Sequence, residues 1–124
     1  SVSIISPNEF TEILNFLPGS ENVIVYESQK EKSDVLFDEA EIIFTLDFNS
    51  LGRAKNVSYK ISKSSAKVVM IDHHENPDDY ADFMISNSKM SSTSEMIYDF
   101  IDYIDSNKID NKKEIFWEKD FTDK

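Results

Sequence analysis

Lys67–Pro77, which reads KVVMIDHHENP, is the stretch that decides how this chain folds. Residues 68–71 are apolar and largely β-branched, a pattern typical of a β-strand that is covered on both faces. The strand runs directly into an acid and the two histidines of the protein, and Asn76-Pro77 then ends extended pairing. Open α/β sheets bind ligands beyond the carboxyl ends of their parallel strands. The sequence therefore predicts a functional site at this strand end.

The composition indicates one globular domain without cysteine chemistry. Of the 124 residues, 40% are hydrophobic, which is enough for a buried core. The absence of Cys excludes disulfides, thiolate nucleophiles and cysteine-bound zinc. Because the sequence has no signal-like start and no long apolar run, we predict a soluble, cytoplasmic protein that does not enter a membrane.

The charge of the chain limits its partners. Thirteen basic residues stand against 24 acidic ones, which gives a net charge of −11. Such an acidic surface argues against a protein that coats long nucleic acids with its own lysines and arginines. A site for a single phosphate stays possible, because bound metal ions would supply the positive charge.

Strands and short helices alternate along the chain, which predicts an α/β fold: a parallel sheet with helices on both faces. The expected strands are Val2–Ile5, Asn22–Glu27, Glu41–Phe48, Lys67–Asp72 and Phe83–Ser86.

The expected helices follow from capping signals and apolar spacing. Ser6-Pro7 should begin a helix that Pro18-Gly19 ends. A short helix should include residues 35–40, and a weak one should include residues 54–61. Ser92 and Glu95 fit a capping box for the last helix. The buried stripe of that helix should consist of Met96, Ile97, Phe100, Ile101 and Ile104.

Both ends of the sequence suggest a piece of a longer protein. The chain starts at Ser1 with a strand and no lead-in, so we expect an upstream segment to be missing. The tail, residues 106–124, is charged, and no strand is predicted in it. Its aromatic residues indicate either a docked terminal helix or an arm separated from its partner.

Two neighbouring strands should deliver Asp47 and Asp72-His73-His74 to one edge of the sheet. Carboxylate oxygen and imidazole nitrogen suit manganese, iron, cobalt or zinc, and a carboxylate can bridge two ions. The alternative is a solvated polar loop with an incidental histidine pair. Asp47 by itself could equally be a helix N-cap.

Further residues are candidates for phosphate binding. Arg53 could bind a phosphate through two hydrogen bonds, or it could simply be exposed. Ser91, Ser92 and Thr93 precede a helix N-terminus, where they could bind an anion or only cap the helix. A serine-hydrolase triad is disfavoured, because the sequence lacks a Gly-x-Ser-x-Gly elbow.

The tripeptide Asp72-His73-His74 resembles the signature of the DHH phosphoesterases, which are metal-dependent hydrolases. Ile43–Asn49 is similar to the second motif of that family, and Met90–Met96 to the segment after the tripeptide. The likeness extends from Ile4 to about Asp105. It is strongest to the oligoribonuclease/pAp phosphatase subgroup, also called nanoRNases. The resemblance therefore implies hydrolysis of short oligonucleotides or pAp with two manganese ions as cofactor.

The resemblance also implies a role for each site residue. Asp47 matches the aspartate that bridges the two metal ions, His73 matches a metal ligand, and His74 matches the histidine that faces the substrate phosphate. Asp72 would orient the histidines from behind. Metal-activated water would attack the phosphorus in line. The residues expected near the substrate, besides His74, are Arg53, Ser91, Ser92 and Thr93.

The chain departs from the family pattern in three places. It lacks the Asn-Pro-Asp-x-Asp first motif, a recognisable fourth-motif aspartate and the C-terminal substrate-binding domain; Asp120 and Asp123 stand in no predicted strand. We therefore expect residues 1–124 to be a partial DHH domain that is inactive alone and binds manganese weakly or not at all. Strand edges left exposed by the missing segment should favour a homodimer or a strand swap.

Two other functions stay open at this stage. The same tripeptide occurs in inorganic pyrophosphatases and exopolyphosphatases of similar fold, so the substrate could be pyrophosphate or polyphosphate. The missing first motif would also suit a non-catalytic interaction module that kept the fold and lost the site.

Overall fold

Parallel strands alternate with helices in residues 1–106 and 121–122, the part of the protein that the computed structural model describes. The strands are β1 (Ile5–Ser6), β2 (Ile24–Val25), β3 (Ile42–Leu46), β4 (Lys67–Asp72), β5 (Phe83–Ser86) and β6 (Phe121–Thr122). The α-helices are α1 (Lys30–Glu39), α2 (Ser58–Lys63) and α3 (Thr93–Ser106). Shorter 3₁₀ helices span Glu12–Phe16, Ser20–Asn22 and Leu51–Val57. The predicted α/β class is confirmed.

The strands form two parallel sheets, whereas the sequence predicted one. β1 pairs with β2, and the larger sheet has the order β3-β4-β5-β6. β3 and β4 run side by side from the pair Ile42 and Lys67 to the pair Leu46 and Ile71. Their carboxyl ends therefore finish level, which places the residues after both strands at one edge of the sheet.

Strand β4 separates two apolar layers, as its continuous apolar run predicts. Val68 and Met70 belong to one layer, and Val69 and Ile71 belong to the other. The first layer also contains Phe37 from α1, Ala54 and Val57 from the 3₁₀ helix Leu51–Val57, and Ile61 from α2. The second layer contains Met96 from α3. Helices therefore cover both faces of the larger sheet, as predicted.

The N-terminal elements are shorter than the sequence predicts. β1 lies at Ile5–Ser6 and not at Val2–Ile5, and β2 occupies only the centre of Asn22–Glu27. The helix predicted to begin at Ser6 is wrong: the Ser6 hydroxyl donates to the Asn8 carbonyl at 2.6 Å, and only the 3₁₀ helix Glu12–Phe16 forms. That segment buries none of its side chains, so no packing supports a longer helix.

Helix α3 begins where its capping signal predicts. The Glu95 N–H donates to the Ser92 hydroxyl at 3.2 Å, which is one half of the capping box. The Glu95 carboxylate accepts a hydrogen bond from the Ser91 hydroxyl at 2.8 Å instead of closing the box. Met96 is buried as predicted, and Ile97 and Phe100 are partly buried against the same layer, whereas Ile101 is 54% exposed, so the predicted stripe is wrong at Ile101. Within the described residues, no helix is both long enough and apolar enough to traverse a bilayer.

The tail contains a strand that the sequence did not predict. β6 pairs with β5 through Ile85 with Phe121 and Ser86 with Thr122. The docked helix expected for the tail is therefore wrong at residues 121–122, whereas the alternative of an arm stays a prediction. Asp120 and Asp123, which flank β6 in the sequence, lie outside the described residues.

Replacement of Met70 by Ala tests whether the β4 layers hold the fold together. The Met70 side chain is 0% exposed, so Met70→Ala should lower the free energy of unfolding by about 2–5 kcal/mol. Ile13 in the 3₁₀ helix Glu12–Phe16 is 74% exposed, and Ile13→Ala should cost less than about 1 kcal/mol. Urea unfolding of the two variants measures the difference. Equal losses would contradict the central place of β4.

Candidate metal centre

Asp47 is the first residue after β3, and contacts from two neighbouring elements hold it. Its backbone adopts φ +69°, a left-handed conformation that Asp tolerates better than most residues. The Asp47 N–H donates to the Ile71 carbonyl at 3.0 Å, and Oδ1 accepts a hydrogen bond from the Thr93 hydroxyl at 2.7 Å. β4 therefore fixes the backbone of Asp47, and the first residue of α3 fixes its carboxylate.

Asp72, the last residue of β4, is fully buried and holds His74. Oδ2 of Asp72 accepts the His74 backbone N–H at 2.9 Å, and Oδ1 lies 2.6 Å from Nδ1 of the His74 ring. A carboxylate can only accept, so in the neutral ring this pairing places the proton on Nδ1 and leaves Nε2 with a free lone pair. The side chain that Asp72 contacts is His74, and the orienting role expected for Asp72 stays a prediction.

The ring of His73 is oriented by a backbone carbonyl. Its Nδ1 lies 3.3 Å from the carbonyl oxygen of Met90, so in the neutral ring Nδ1–H donates and Nε2 is free. Nε2 lies 3.6 Å from Oδ1 of Asp47. The centroids of the two histidine rings are 4.7 Å apart. Both rings reach the same side because the chain leaves the strand after Asp72 and turns.

Asp47, His73 and His74 together could hold a metal ion. Each offers one ligand atom, and these atoms lie within 4.8 Å of one another. The Asp47 side chain is 60% exposed, whereas the histidine side chains are 28% and 33% exposed. The group is therefore open to solvent at the carboxylate. One oxygen donor and two nitrogen donors suit manganese, iron, cobalt or zinc, so the residues present fit the expected metal chemistry.

The remaining predicted site residues take different positions. Thr93 is buried and belongs to the centre, because its hydroxyl donates to Asp47. The hydroxyls of Ser91 and Ser92 take part in the cap of α3. Arg53 is exposed, and none of the described carboxylates forms an ion pair with it. Substrate binding by these four residues stays a prediction.

Two polar side chains near the centre escaped the sequence analysis. The hydroxyl of Tyr80 lies 2.7 Å from the Thr45 hydroxyl and donates to the Phe48 carbonyl at 2.9 Å. The side-chain amide of Asn49 donates to the Glu75 carbonyl at 2.7 Å. Tyr80 lies in a polar segment without periodicity or motif. Asn49 ends the segment similar to the second family motif, but nothing in the sequence gives its amide a partner. Their contacts become visible only when β3 and β4 are side by side.

Comparison with known proteins supports the resemblance seen in the sequence. A family model described as the DHH family, N-terminal domain, matches residues 3–123. The chain belongs to the DHH family. A solved relative of this DHH chain is an exopolyphosphatase-related protein from Bacteroides fragilis, with 37% sequence identity and a TM-score of 0.80. The match covers 82% of the DHH chain and 30% of the relative. No curated protein matches the chain.

The contact between Asp72 and His74 can be tested without a metal. Asp72→Asn keeps the shape of the side chain but replaces one carboxylate oxygen by an NH₂ group. The remaining oxygen is needed by the His74 backbone N–H, so the NH₂ group should face Nδ1 of the ring. The His74 ring should therefore shift toward the tautomer that carries its proton on Nε2. His73, held by the Met90 carbonyl, should keep its proton on Nδ1. Long-range ¹⁵N–¹H NMR correlations report both tautomers, and Asp99→Asn on the exposed face of α3 is the control. An unchanged His74 spectrum would refute the assignment.

Proposed function

We propose that this DHH chain is part of a manganese-dependent phosphodiesterase or phosphatase that acts on short oligonucleotides or pAp. The observation that carries the proposal is the convergence of Asp47, His73 and His74 at the carboxyl edge of the larger sheet. Membership of a family of metal-dependent phosphoesterases supports the reaction class. The donor set is compatible with manganese.

Each residue of the centre has a proposed task. Asp47 would hold the manganese ions through its carboxylate, as the resemblance to the family implies, and this carboxylate is the most exposed of the three groups. His73 would bind one ion through Nε2, which the Met90 contact leaves free. His74 would face the substrate phosphate while Asp72 holds its ring. When bound, the metal ions would supply activated water and neutralise negative charge on the phosphate.

The charge of the chain favours a short substrate. With 24 acidic and 13 basic residues, the protein repels a long polyanion, whereas metal ions can offset the charge of one or two phosphates. A second candidate is a substrate of the polyphosphate class: the charge argument admits pyrophosphate, which has two phosphates, and disfavours long polyphosphate. The name of the Bacteroides fragilis relative, exopolyphosphatase-related, is the observation that favours it.

The chain is proposed to work as one part of a larger enzyme. It spans 30% of the length of its solved relative, so further segments of a longer protein would complete the metal ligands and the substrate site. Three ligating residues hold two ions weakly, and we therefore expect little activity from residues 1–124 alone. A cytoplasmic location is part of this proposal.

Hydrolysis assays with manganese test the proposal. The substrates are pAp, a dinucleotide, pyrophosphate and polyphosphate, and the proteins are residues 1–124 and the longest chain that the gene encodes. The longer protein should cleave pAp and the dinucleotide, and Asp47→Asn in it should lower kcat by more than about 100-fold, because loss of groups behind a metal site alone costs 10–100-fold. Asp99→Asn is the control.

The other outcomes of these assays separate the alternatives. Cleavage of pyrophosphate or polyphosphate alone would favour the second candidate. A longer protein that stays inert with every divalent metal would refute the enzyme and leave the non-catalytic interaction module.

We also propose that residues 1–124 form a homodimer or a swapped pair through β3. On the face that α3 covers, β3 presents Ile42, Phe44 and Leu46, which are still 54%, 45% and 40% exposed, although Phe44 contacts the Phe100 ring. Among the described strands, the second edge of β3 has no partner. Sedimentation velocity should show a dimer, and Ile42→Lys should weaken it by about tenfold or more, because a buried lysine is costly. Tyr59→Lys on α2 is the exposed control. A monomer with ordinary cooperative unfolding would contradict the dimer.

A further inference from the structure

Two loops carry the candidate metal ligands, and hydrogen bonds from side chains connect one loop to the other. The Asp47 turn (residues 47–50) follows β3, and the histidine loop (residues 73–82) connects β4 to β5. Each loop contains a residue in the left-handed conformation: Asp47 with φ +69° and Asn76 with φ +53°. Such conformations are uncommon for residues other than Gly, although Asp and Asn tolerate them better than most, and surrounding contacts help to hold them. The contacts between the two loops therefore decide how firmly the centre is held.

Tyr80, in the histidine loop, reaches the end of β3 and the Asp47 turn. Its hydroxyl donates to the Phe48 carbonyl at 2.9 Å, and because that uses its single proton, it accepts from the Thr45 hydroxyl at 2.7 Å. Burial raises the pKa of Tyr80 to about 12; the Thr45 hydrogen bond opposes the shift, and the charges of Asp72 and Asp78 add to it. The hydroxyl therefore stays a neutral donor across the working pH range.

Asn49, in the Asp47 turn, forms two hydrogen bonds with the histidine loop. Its side-chain amide donates to the Glu75 carbonyl at 2.7 Å, and its backbone carbonyl accepts the Asp78 N–H at 2.7 Å. Glu75 directly follows His74 in the sequence. One of these bonds therefore fixes the backbone where it leaves the two histidines.

We propose that Tyr80 and Asn49 are positioning residues that set the separation between Asp47 and His73. Oδ1 of Asp47 and Nε2 of His73 lie 3.6 Å apart, although the two residues come from different loops. Tyr80 holds the carbonyl of the residue after Asp47, and Asn49 holds the carbonyl of the residue after His74. The two contacts thus act on the backbone immediately beyond the candidate ligands. The inference deepens the proposed function and rests on it for its consequence in metal binding.

Amide hydrogen exchange tests the positioning without any metal. Tyr80→Phe removes the donor to Phe48, so exchange of the Asp47 N–H should accelerate by about tenfold, the effect of losing one net hydrogen bond. Asn49→Ala should accelerate exchange at Asp78 by a similar factor. The Met70 amide in the middle of β4 should not change in either variant. Controls are Tyr98→Phe and Asn56→Ala, both at exposed positions.

Two results of the exchange experiment would overturn the inference. In one, Asp47 and Asp78 exchange at the wild-type rate in both variants. In the other, the amides of β4 accelerate by the same factor, which would mean that Tyr80 and Asn49 only support the stability of the whole fold.

Manganese titration of the longest chain that the gene encodes, followed by electron paramagnetic resonance, tests the consequence for the centre. Tyr80→Phe and Asn49→Ala should each weaken manganese binding by about five- to tenfold, while Tyr98→Phe and Asn56→Ala leave it unchanged. Thr45→Ser keeps the hydroxyl that donates to Tyr80, so this variant should bind manganese like wild type. Thr45→Val removes the hydroxyl, so this variant should bind manganese more weakly than wild type. Circular dichroism verifies that every variant is folded.

The two experiments separate the inference from the proposed function. If the longest chain that the gene encodes binds no manganese but the Asp47 amide responds to Tyr80→Phe, the positioning role holds and the metal centre fails. If wild type and both variants bind manganese equally well, the metal centre holds and the positioning role is overturned.

Discussion

The parallel register between β3 and β4 is the constraint on which the candidate centre depends. It pairs Leu46 with Ile71 and brings the next residues, Asp47 and Asp72, to the same level of the sheet. A shift by one residue would turn the buried side of β3 toward solvent and separate the two acids. The register is secured by burial, because both faces of β4 lie in apolar layers. The hydrophobic core and the polar centre are therefore consequences of one alignment.

Burial of Asp72 is the second condition for the centre. An isolated carboxylate would be costly at a position with 0% exposure, and the two hydrogen bonds from His74 offset that cost. The same bonds bend the chain out of the strand and bring His74 beside His73. The two hydrogen bonds that offset the burial of Asp72 therefore also shape the loop that carries His73 and His74.

The sequence predicts this structure well where a pattern is local and less well where contacts are distant. The apolar run of β4, the acid after β3 and the cap of α3 are local signals, and the structure contains all three. The helix expected after Ser6 fails, because its apolar residues find no surface to cover. β6 and the Tyr80 contacts depend on chain segments far apart in sequence, so neither propensity nor spacing reveals them.

Position 47 places two separate demands on its side chain: one comes from the positive φ of the backbone, and the other comes from the proposed metal chemistry. The backbone admits Gly, Asn and Asp readily and resists larger or β-branched residues, whatever the chemistry of the site. The carboxylate is required only by the proposed metal chemistry. Of the twenty side chains, Asp alone meets both demands in full. A Glu at this position would keep the charge and strain the turn, whereas an Asn would keep the turn and lose the charge, so the backbone and the ligand can be separated experimentally at one residue.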